Sequence, residues 1–204
     1  MELIAATHNK GKLVEFTELL RPLNAVVVPL DALDLNIEIE ETGTTFAENA
    51  RIKAETIFKL TGRPAIADDS GLCVDALEGA PGVYSARYGG PGLTDAGRVQ
   101  KLLAALEGVP QDKRGAHFVS AICCVLPDTV LETQGYCYGR ILPAPQGDNG
   151  FGYDPVFLPE EYAAEGRGFG MLSRAEKNAI SHRGRAIAKF AGLLEAYVRT
   201  KQDW

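Results

Sequence analysis

Cysteine is scarce in this chain. Four occur in 204 residues, Cys73, Cys123, Cys124 and Cys137, and no two form a C-x-x-C pair. A disulfide framework or a thiolate metal knuckle needs more of them, or closer spacing. Cys123 and Cys124 are neighbours within a strand-like run, so buried, reduced thiols of a cytoplasmic protein are expected. Basic residues are in deficit too. Lys and Arg number 21 against 27 Asp and Glu, a net charge of −6, which argues against duplex nucleic acid because that partner needs a basic face. Long apolar runs are missing: stretches such as "FVSAICCVL" are too short to cross a bilayer. The start, "MELIAATHNKGK", has neither the basic leader nor the apolar segment of a signal peptide. Repeats and low-complexity linkers are absent as well. What remains, with 46% hydrophobic residues, is one domain over residues 1–204, large enough for a sizeable core or for two lobes. A small polyanionic substrate stays possible, because local charge decides that.

The hydrophobic pattern predicts an α/β domain with a mixed sheet. Strands are expected at "LIAAT", "AVVVPL" and "PAIA". Between them fall a helix over "GKLVEFTELLRPL", ended by Pro22, and one over "TTFAENARIKAETIFKLTG". The second is opened by a Thr45–Glu48 capping box and closed at Gly62. Leu30 to Gly43 reads as an irregular acidic connection. "EGAPGVYSARYGGPG" is too rich in Gly and Pro for anything but loop. A third helix follows at "TDAGRVQKLLAALEG". Two long strands, "AHFVSAICCVL" and "VLETQGYCYGRI", flank the turn "PDT". The loop "PAPQGDNGFGYDPVF" runs into a short strand, Ser173 and Glu176 cap a short helix, and the closing helix carries Ile187, Phe190, Leu194 and Tyr197 on one face.

The chemistry concentrates in "PAIADDSGLCVD". Two adjacent carboxylates, Asp68 and Asp69, directly follow an apolar run. Unpaired ionised groups there are costly, and like charges side by side make it worse. A cation would relieve both; a turn in which the side chains accept backbone N–H bonds is the plainer alternative. The loop "THNKGK" between the first strand and helix offers free N–H groups, the dipole end, Lys10, Lys12, Thr7 and Asn9 to a phosphate. It is not a Walker A loop, since one glycine precedes the lysine and no hydroxyl follows Lys12. An ordinary strand–helix turn with solvated lysines has the same pattern. Lys53 shares a helical stripe with Phe46, Ala50 and Ile57, so it either faces an anion or snorkels from the edge. The acidic run Asp31, Asp34, Glu38, Glu40 and Glu41 contains no basic residue. Most such runs are solvated, yet Glu40 or Glu41 with Asp69 would satisfy Mg²⁺, which takes one or two carboxylates plus water and phosphate oxygens. Lys177, His182, Arg183 and Arg185 crowd a probable helix start, an arrangement that favours an anion. Phe151, Tyr153 and Asp154 in "GFGYDP" could stack on a purine and accept from its ring N–H, or simply close a loop onto the core.

Taken together, "AATHNKGKLVEF", "EETGTTFAENARIKA", "AIADDSGLCVDALEGAPGVYSARYGG", "GFGYDPVF" and "SHRGRA" resemble the inosine triphosphate pyrophosphatase family. These enzymes act on non-standard purine nucleotides, and the likeness spans nearly the whole chain. It implies an elongated mixed twisted sheet flanked by helices, two lobes with a central active-site cleft, a homodimer and a Mg²⁺ requirement. The implied reaction takes ITP, dITP and XTP to the monophosphate and pyrophosphate. Residue by residue it assigns Asp69 as general base and metal ligand, with Glu41, or Glu40 as second choice, completing the metal site. Thr7, His8, Asn9, Lys10, Gly11 and Lys12 would hold phosphates, with Lys53 offsetting charge. Ser70 would contact substrate, and Phe151, Gly152, Tyr153, Asp154, Lys177, His182 and Arg183 would surround base and sugar. One departure stands out: His8 occupies a position where that family commonly has glycine, so the loop must accept a side chain there. A Maf-like pyrophosphatase of modified pyrimidine nucleotides fits the order of motifs less well. A non-enzymatic nucleotide-binding module leaves the carboxylates without a purpose.

Overall fold

A computed structural model of the chain describes residues 1–90 and 92–202. Pro91, inside the predicted Gly/Pro-rich loop, and residues 203 and 204 of the expected domain lie outside the described residues. Six strands, β1 (Glu2–Ala5), β2 (Val26–Pro29), β3 (Ala65–Val74), β4 (Gly115–Val125), β5 (Val130–Ile141) and β6 (Phe157–Pro159), form one sheet in the order β2-β1-β3-β4-β5-β6. β1 runs parallel to β2 and β3, whereas β6 runs antiparallel to β5, so the sheet is mixed. The helices are α1 (Lys10–Leu20), α2 (Phe46–Thr61), α3 (Asp95–Ala105), α4 (Arg174–Ile180) and α5 (His182–Gln202).

Local chemistry explains most boundaries. Asn9 caps α1 by accepting from the Lys12 N–H at 3.1 Å, and the helix stops at Leu20, two residues before Pro22. Pro22 has no N–H to continue the α-helical ladder, so the chain, still right-handed at Arg21, tightens into a 3-10 turn over Arg21–Leu23. Both bonds of the Thr45–Glu48 capping box are made, and Gly62 closes α2 at φ 64°. The Gly/Pro-rich stretch expected to be plain loop holds a 3-10 turn over Gly82–Arg87.

One expectation is corrected. The third strand does not end before the aspartates: β3 runs for 10 residues straight through "DDSGLCV". Strand side chains alternate between faces, so the sequence neighbours Asp68 and Asp69 point to opposite sides of the sheet. The adjacent-charge problem is thereby eased by geometry.

The described chain forms two compact units. The first contains Met1–Asp69, Ser120–Gly135 and residues from Arg183 onward; the second contains Ser70–Val119 and Tyr136–His182. In the first unit each sheet face buries its own core. Leu3, Ala5, Ile66, Ile122 and Cys124 pack with Phe16 and Leu20 of α1 and Phe190 and Leu194 of α5. The alternate positions Ile4, Ala65, Ala67, Ala121 and Cys123 pack with Ala50, Ala54 and Ile57 of α2. The second unit has a core of Leu72, Val74, Phe118, Phe157 and Phe169 with Val99 and Leu102 of α3. Cys123, Cys124 and Cys137 are buried, and the four cysteines form no disulfide. No helix among the described residues is long and apolar enough to cross a membrane.

Candidate active site

Asp68 follows Ile66 on the α1/α5 face of the first unit. Its carboxylate accepts from Arg183 at 2.9 Å, lies 2.9 Å from the Lys12 ammonium and accepts from the Ser120 hydroxyl at 2.5 Å. Arg183 also donates to Glu15 of α1. All of this is dry: Asp68 and Arg183 are each 1% exposed. Burial pushes the Asp68 carboxyl up, but Arg183, Lys12 and Ser120 outweigh it and hold the group well below the usual carboxylate range. Asp68 is thus a permanent anion that anchors two cations, unsuited to exchanging protons near neutrality.

Asp69 follows Ala65 and Ala67 on the α2 face. Lys53, on the inward stripe of α2, donates to Asp69 Oδ1 at 2.9 Å and to Glu41 Oε1 at 2.8 Å. Asn49, one turn earlier and fully buried, donates to Asp69 Oδ2 at 3.3 Å while its own Oδ1 accepts from the Gly43 N–H at 2.8 Å. Burial is the largest influence on Asp69 and raises its affinity for a proton, only partly offset by Lys53 and Lys12. For Lys53 the balance is reversed. Burial disfavours its charge, but two carboxylates against one ammonium raise its pKa. A carboxyl with raised proton affinity beside a secured cation is the pattern of a general base.

The two faces meet at one atom. Both Lys12 Nζ, at 3.3 Å, and Lys53 Nζ, at 3.0 Å, bond the backbone carbonyl oxygen of Asp68. Lys12 is pushed down by burial, with Asp68 opposing and Lys53 and Arg183 reinforcing the shift. Two ammonium groups, one from α1 and one from α2, thus share one carbonyl oxygen, and with Arg183 they face the carboxylates of Asp68, Asp69, Glu41 and Glu15. In the loop before α1, Thr7 Oγ1 accepts from the Asn9 N–H at 3.1 Å. Lys10 is exposed and Gly11 half-buried. His8 does not take a positive φ, so a side chain is accommodated there without left-handed backbone. Its ring is turned to the acidic segment, with Nδ1 3.2 Å from Asp31 Oδ1 and Nε2 3.1 Å from the Ile37 carbonyl oxygen.

Glu41 and Glu40 are separated by the structure. Glu41 is half-buried on Lys53, whereas Glu40 is exposed. No group of three or more His, Cys, Asp and Glu gathers among the described residues, which therefore supply no complete metal cage. The donor set still fits a hard divalent cation. Asp69 and Glu41 already converge on one positive centre, the Lys53 ammonium, and two carboxylates suffice when water and phosphate oxygens supply the rest.

In the second unit, Asp154 accepts from Lys177 at 2.7 Å and from the Phe151 N–H at 2.9 Å, and both charged groups are buried. The Lys177 ammonium lies 4.8 Å from the Phe151 ring centroid and 5.7 Å from that of Phe169. His182, also buried, stacks on Phe118 with centroids 4.7 Å apart. Gly152 donates to Asp95 at 2.8 Å. Tyr153 is a core residue whose hydroxyl donates to the Ser85 carbonyl at 2.9 Å, with burial raising its pKa. Of the two aromatics expected to stack on a base, only Phe151 is more than marginally accessible. Ser70, on β3, is half-buried. Arg183 is held by Asp68 and Glu15.

Asn49, Glu15 and Ser120 were not identified from sequence. A signal existed for Asn49, a polar residue on the same α2 stripe as Ala50 and Lys53. Glu15 and Ser120 matter only through Arg183 and Asp68, partners more than 50 residues away in sequence.

Comparison with known proteins agrees with the resemblance read from the motifs. A dITP/XTP pyrophosphatase from Bacillus licheniformis is 49% identical over 95% of this chain and 98% of its own length. One from Gloeobacter violaceus is 51% identical over 92% of this chain and 91% of its own. Among solved structures, a HAM1 protein from Coxiella burnetii matches with a TM-score of 0.85 at 44% identity, covering 96% of this chain and 99% of that one. A nucleoside-triphosphatase / dITP/XTP pyrophosphatase from Mycobacterium abscessus gives 0.74 at 42%, covering 93% and 98%. A model of the Ham1 family matches residues 3–193, and the chain belongs to that family.

Proposed function

We propose that the chain is a nucleoside triphosphate pyrophosphatase that hydrolyses ITP, dITP and XTP to the monophosphate and pyrophosphate, working as one domain over residues 1–204. The relatives' activity supports this reading, and one observation carries it at residue level. Asp69, a buried carboxyl with raised proton affinity, shares the Lys53 ammonium with Glu41, and Lys53 shares the Asp68 carbonyl with Lys12.

Phosphoryl transfer asks chiefly for positioning and charge neutralisation. The free N–H groups at the start of α1, with Lys10 and Lys12, bind the phosphate chain. Asp69 accepts the proton of the attacking water as the new bond forms at the α-phosphorus and the bond to the bridging oxygen breaks. Lys12 and Lys53 offset the charge gathering on departing pyrophosphate. Asp68, Arg183 and Glu15 hold Lys12 in place. Mg²⁺ is the cofactor we assign, held by Asp69 and Glu41, where it would polarise phosphate oxygens. In the second unit, Lys177 and His182 are the donors for a purine 6-oxo group, and Phe151 offers a ring face. An adenine would set its amine against those donors, and sites built on such pairing reject the mismatched base strongly.

A homodimer, a cytoplasmic location and no role in binding duplex nucleic acid complete the reading. They are supported by the resemblance, the absence of disulfides and the acidic balance. The test is pyrophosphate release from ITP, XTP, GTP, ATP and dTTP with and without Mg²⁺, alongside light scattering for the dimer. Strong preference for ITP and XTP, abolished by EDTA, is expected. Equal turnover of ATP would reject the specificity.

A further inference from the structure

We propose that His8 is a positioning residue: as a doubly protonated imidazolium it latches the acidic segment carrying Glu41 onto the loop that opens α1. The consequence for Glu41 rests on the proposed metal role; the latch itself does not.

The argument is a count of protons. Nδ1 of His8 lies 3.2 Å from Asp31 Oδ1, and Nε2 lies 3.1 Å from the Ile37 carbonyl oxygen. Both partners only accept. A neutral imidazole has one N–H and one lone pair, so it can satisfy one of them and must turn a lone pair on the other. Only the imidazolium donates to both. The charged group facing Nδ1 is Asp31, in the 3-10 turn Leu30–Leu33. Nε2 meets an uncharged carbonyl. On its own side, Lys10 is exposed and Lys12 is turned to Asp68.

What the latch holds is worth holding. From Asp34 to Gly43 the chain has no helix or strand. Its polar ties to the rest of the first unit include the Gly43 N–H on Asn49, Glu41 on Lys53, and Ile37 on His8. Glu41 therefore sits between an anchor at Gly43 and one at Ile37. The Ile37 side chain packs on the α2-face core with Leu35 and Ile39, and His8 adds the polar tie at its carbonyl, which a glycine at position 8 could not supply. The latch is closed only while both ring nitrogens carry a proton to donate.

The experiment uses nucleotide-free, full-length protein, so its result stands whatever the enzyme hydrolyses. Cleavage after Glu38, Glu40 and Glu41 by a glutamate-specific protease is timed for wild type, His8→Gly and Asp31→Asn at matched pH values. His8→Gly should be cut about threefold faster than wild type near about pH 6, the scale of an exposed, hydrogen-bonded ion pair. Asp31→Asn should lie between the two. In parallel, ¹⁵N spectra of the histidine rings, with His8 recognised among three histidines by its loss in His8→Gly, should show both nitrogens protonated when cleavage is slow. Equal cleavage of wild type and His8→Gly at every pH would overturn the latch. So would a His8 ring that is singly protonated while the segment is protected.

Discussion

The neighbouring aspartates offer a sharp test, because one residue step on β3 assigns them opposite physical roles. Consider Asp68→Asn and Asp69→Asn, two changes of the same size and chemistry. Asp68 accepts from Arg183, Lys12 and Ser120 at 2.5 to 2.9 Å with its side chain fully buried. Asparagine removes the charge and turns an N–H₂ toward donors. Arg183 keeps Glu15, but Lys12 keeps only a carbonyl. Removing one partner from a buried ionic cluster costs about 3–5 kcal/mol. For 204 residues at about 2.1 cal/mol/K each, the unfolding entropy is roughly 0.43 kcal/mol/K. Tm should therefore fall by about 7–12 °C. The pH dependence follows from the depressed native pKa of Asp68. Its contribution is fully present above the unfolded carboxyl value of about 3.9 and is lost only as pH falls through the lower native value. The Tm gap between Asp68→Asn and wild type should thus be flat from about pH 8 to about pH 5 and close only in stronger acid. Asp69 is the reverse case. Its raised pKa means that the native carboxylate is held at a cost near neutrality, and Lys53 retains Glu41 and the Asp68 carbonyl without it. Asp69→Asn should change Tm by less than about 2 °C, yet slow ITP hydrolysis at least ~100-fold, the usual scale of general-base loss. Differential scanning calorimetry and a pyrophosphate-release assay on both proteins suffice. Equal Tm losses, or retained turnover in Asp69→Asn, would refute the division of roles.

Other outcomes follow from the same geometry. Glu41→Ala should cut Mg²⁺-supported activity at least ~10-fold, because it removes a carboxylate bound to Lys53, while Glu40→Ala, at an exposed position, should stay within about twofold of wild type; a metal titration of both activities checks this, and the opposite ranking would move the metal site. Burial lowers the Lys12 pKa, so its positive charge is lost at lower pH than that of an ordinary lysine. KM for ITP should accordingly rise on the alkaline side before the usual lysine range, and Lys12→Arg should remove that rise because guanidinium stays charged. Thr45→Ala deletes the cap of the helix carrying Asn49 and Lys53; it should cost about 1 kcal/mol, read as a Tm about 2–4 °C lower, with KM nearly unchanged.

The elements themselves were largely legible in the sequence. The Thr45–Glu48 box and Gly62 bracket α2, Ser173 and Glu176 open α4, and the two long strands β4 and β5 fall where alternation and apolar content place them. The misreading of β3 is instructive. Charge looked like a strand end, because propensity and hydrophobicity are local measures and two aspartates violate both. What keeps the strand going is long-range: Arg183 from α5 and Lys12 from α1 neutralise one side, and Lys53 from α2 the other. Arg183 shows the same limit: its bonds to Asp68 and Glu15 join residues 115 and 168 positions apart in the chain, a pairing that no local pattern announces.

The order of residues by itself determined which helices and strands form, through caps, breakers and periodicity that act within a few positions. It also determined the family, through motifs whose spacing few other chains share. Which aspartate pairs with Arg183 and which gains proton affinity, which glutamate meets Lys53, and where the His8 ring turns were decided only by the tertiary structure. The reason is physical: a carboxyl group's proton affinity is set by burial and by the charges within a few ångströms of it, and in this protein those charges come from helices outside β3, Arg183 lying 115 positions from Asp68.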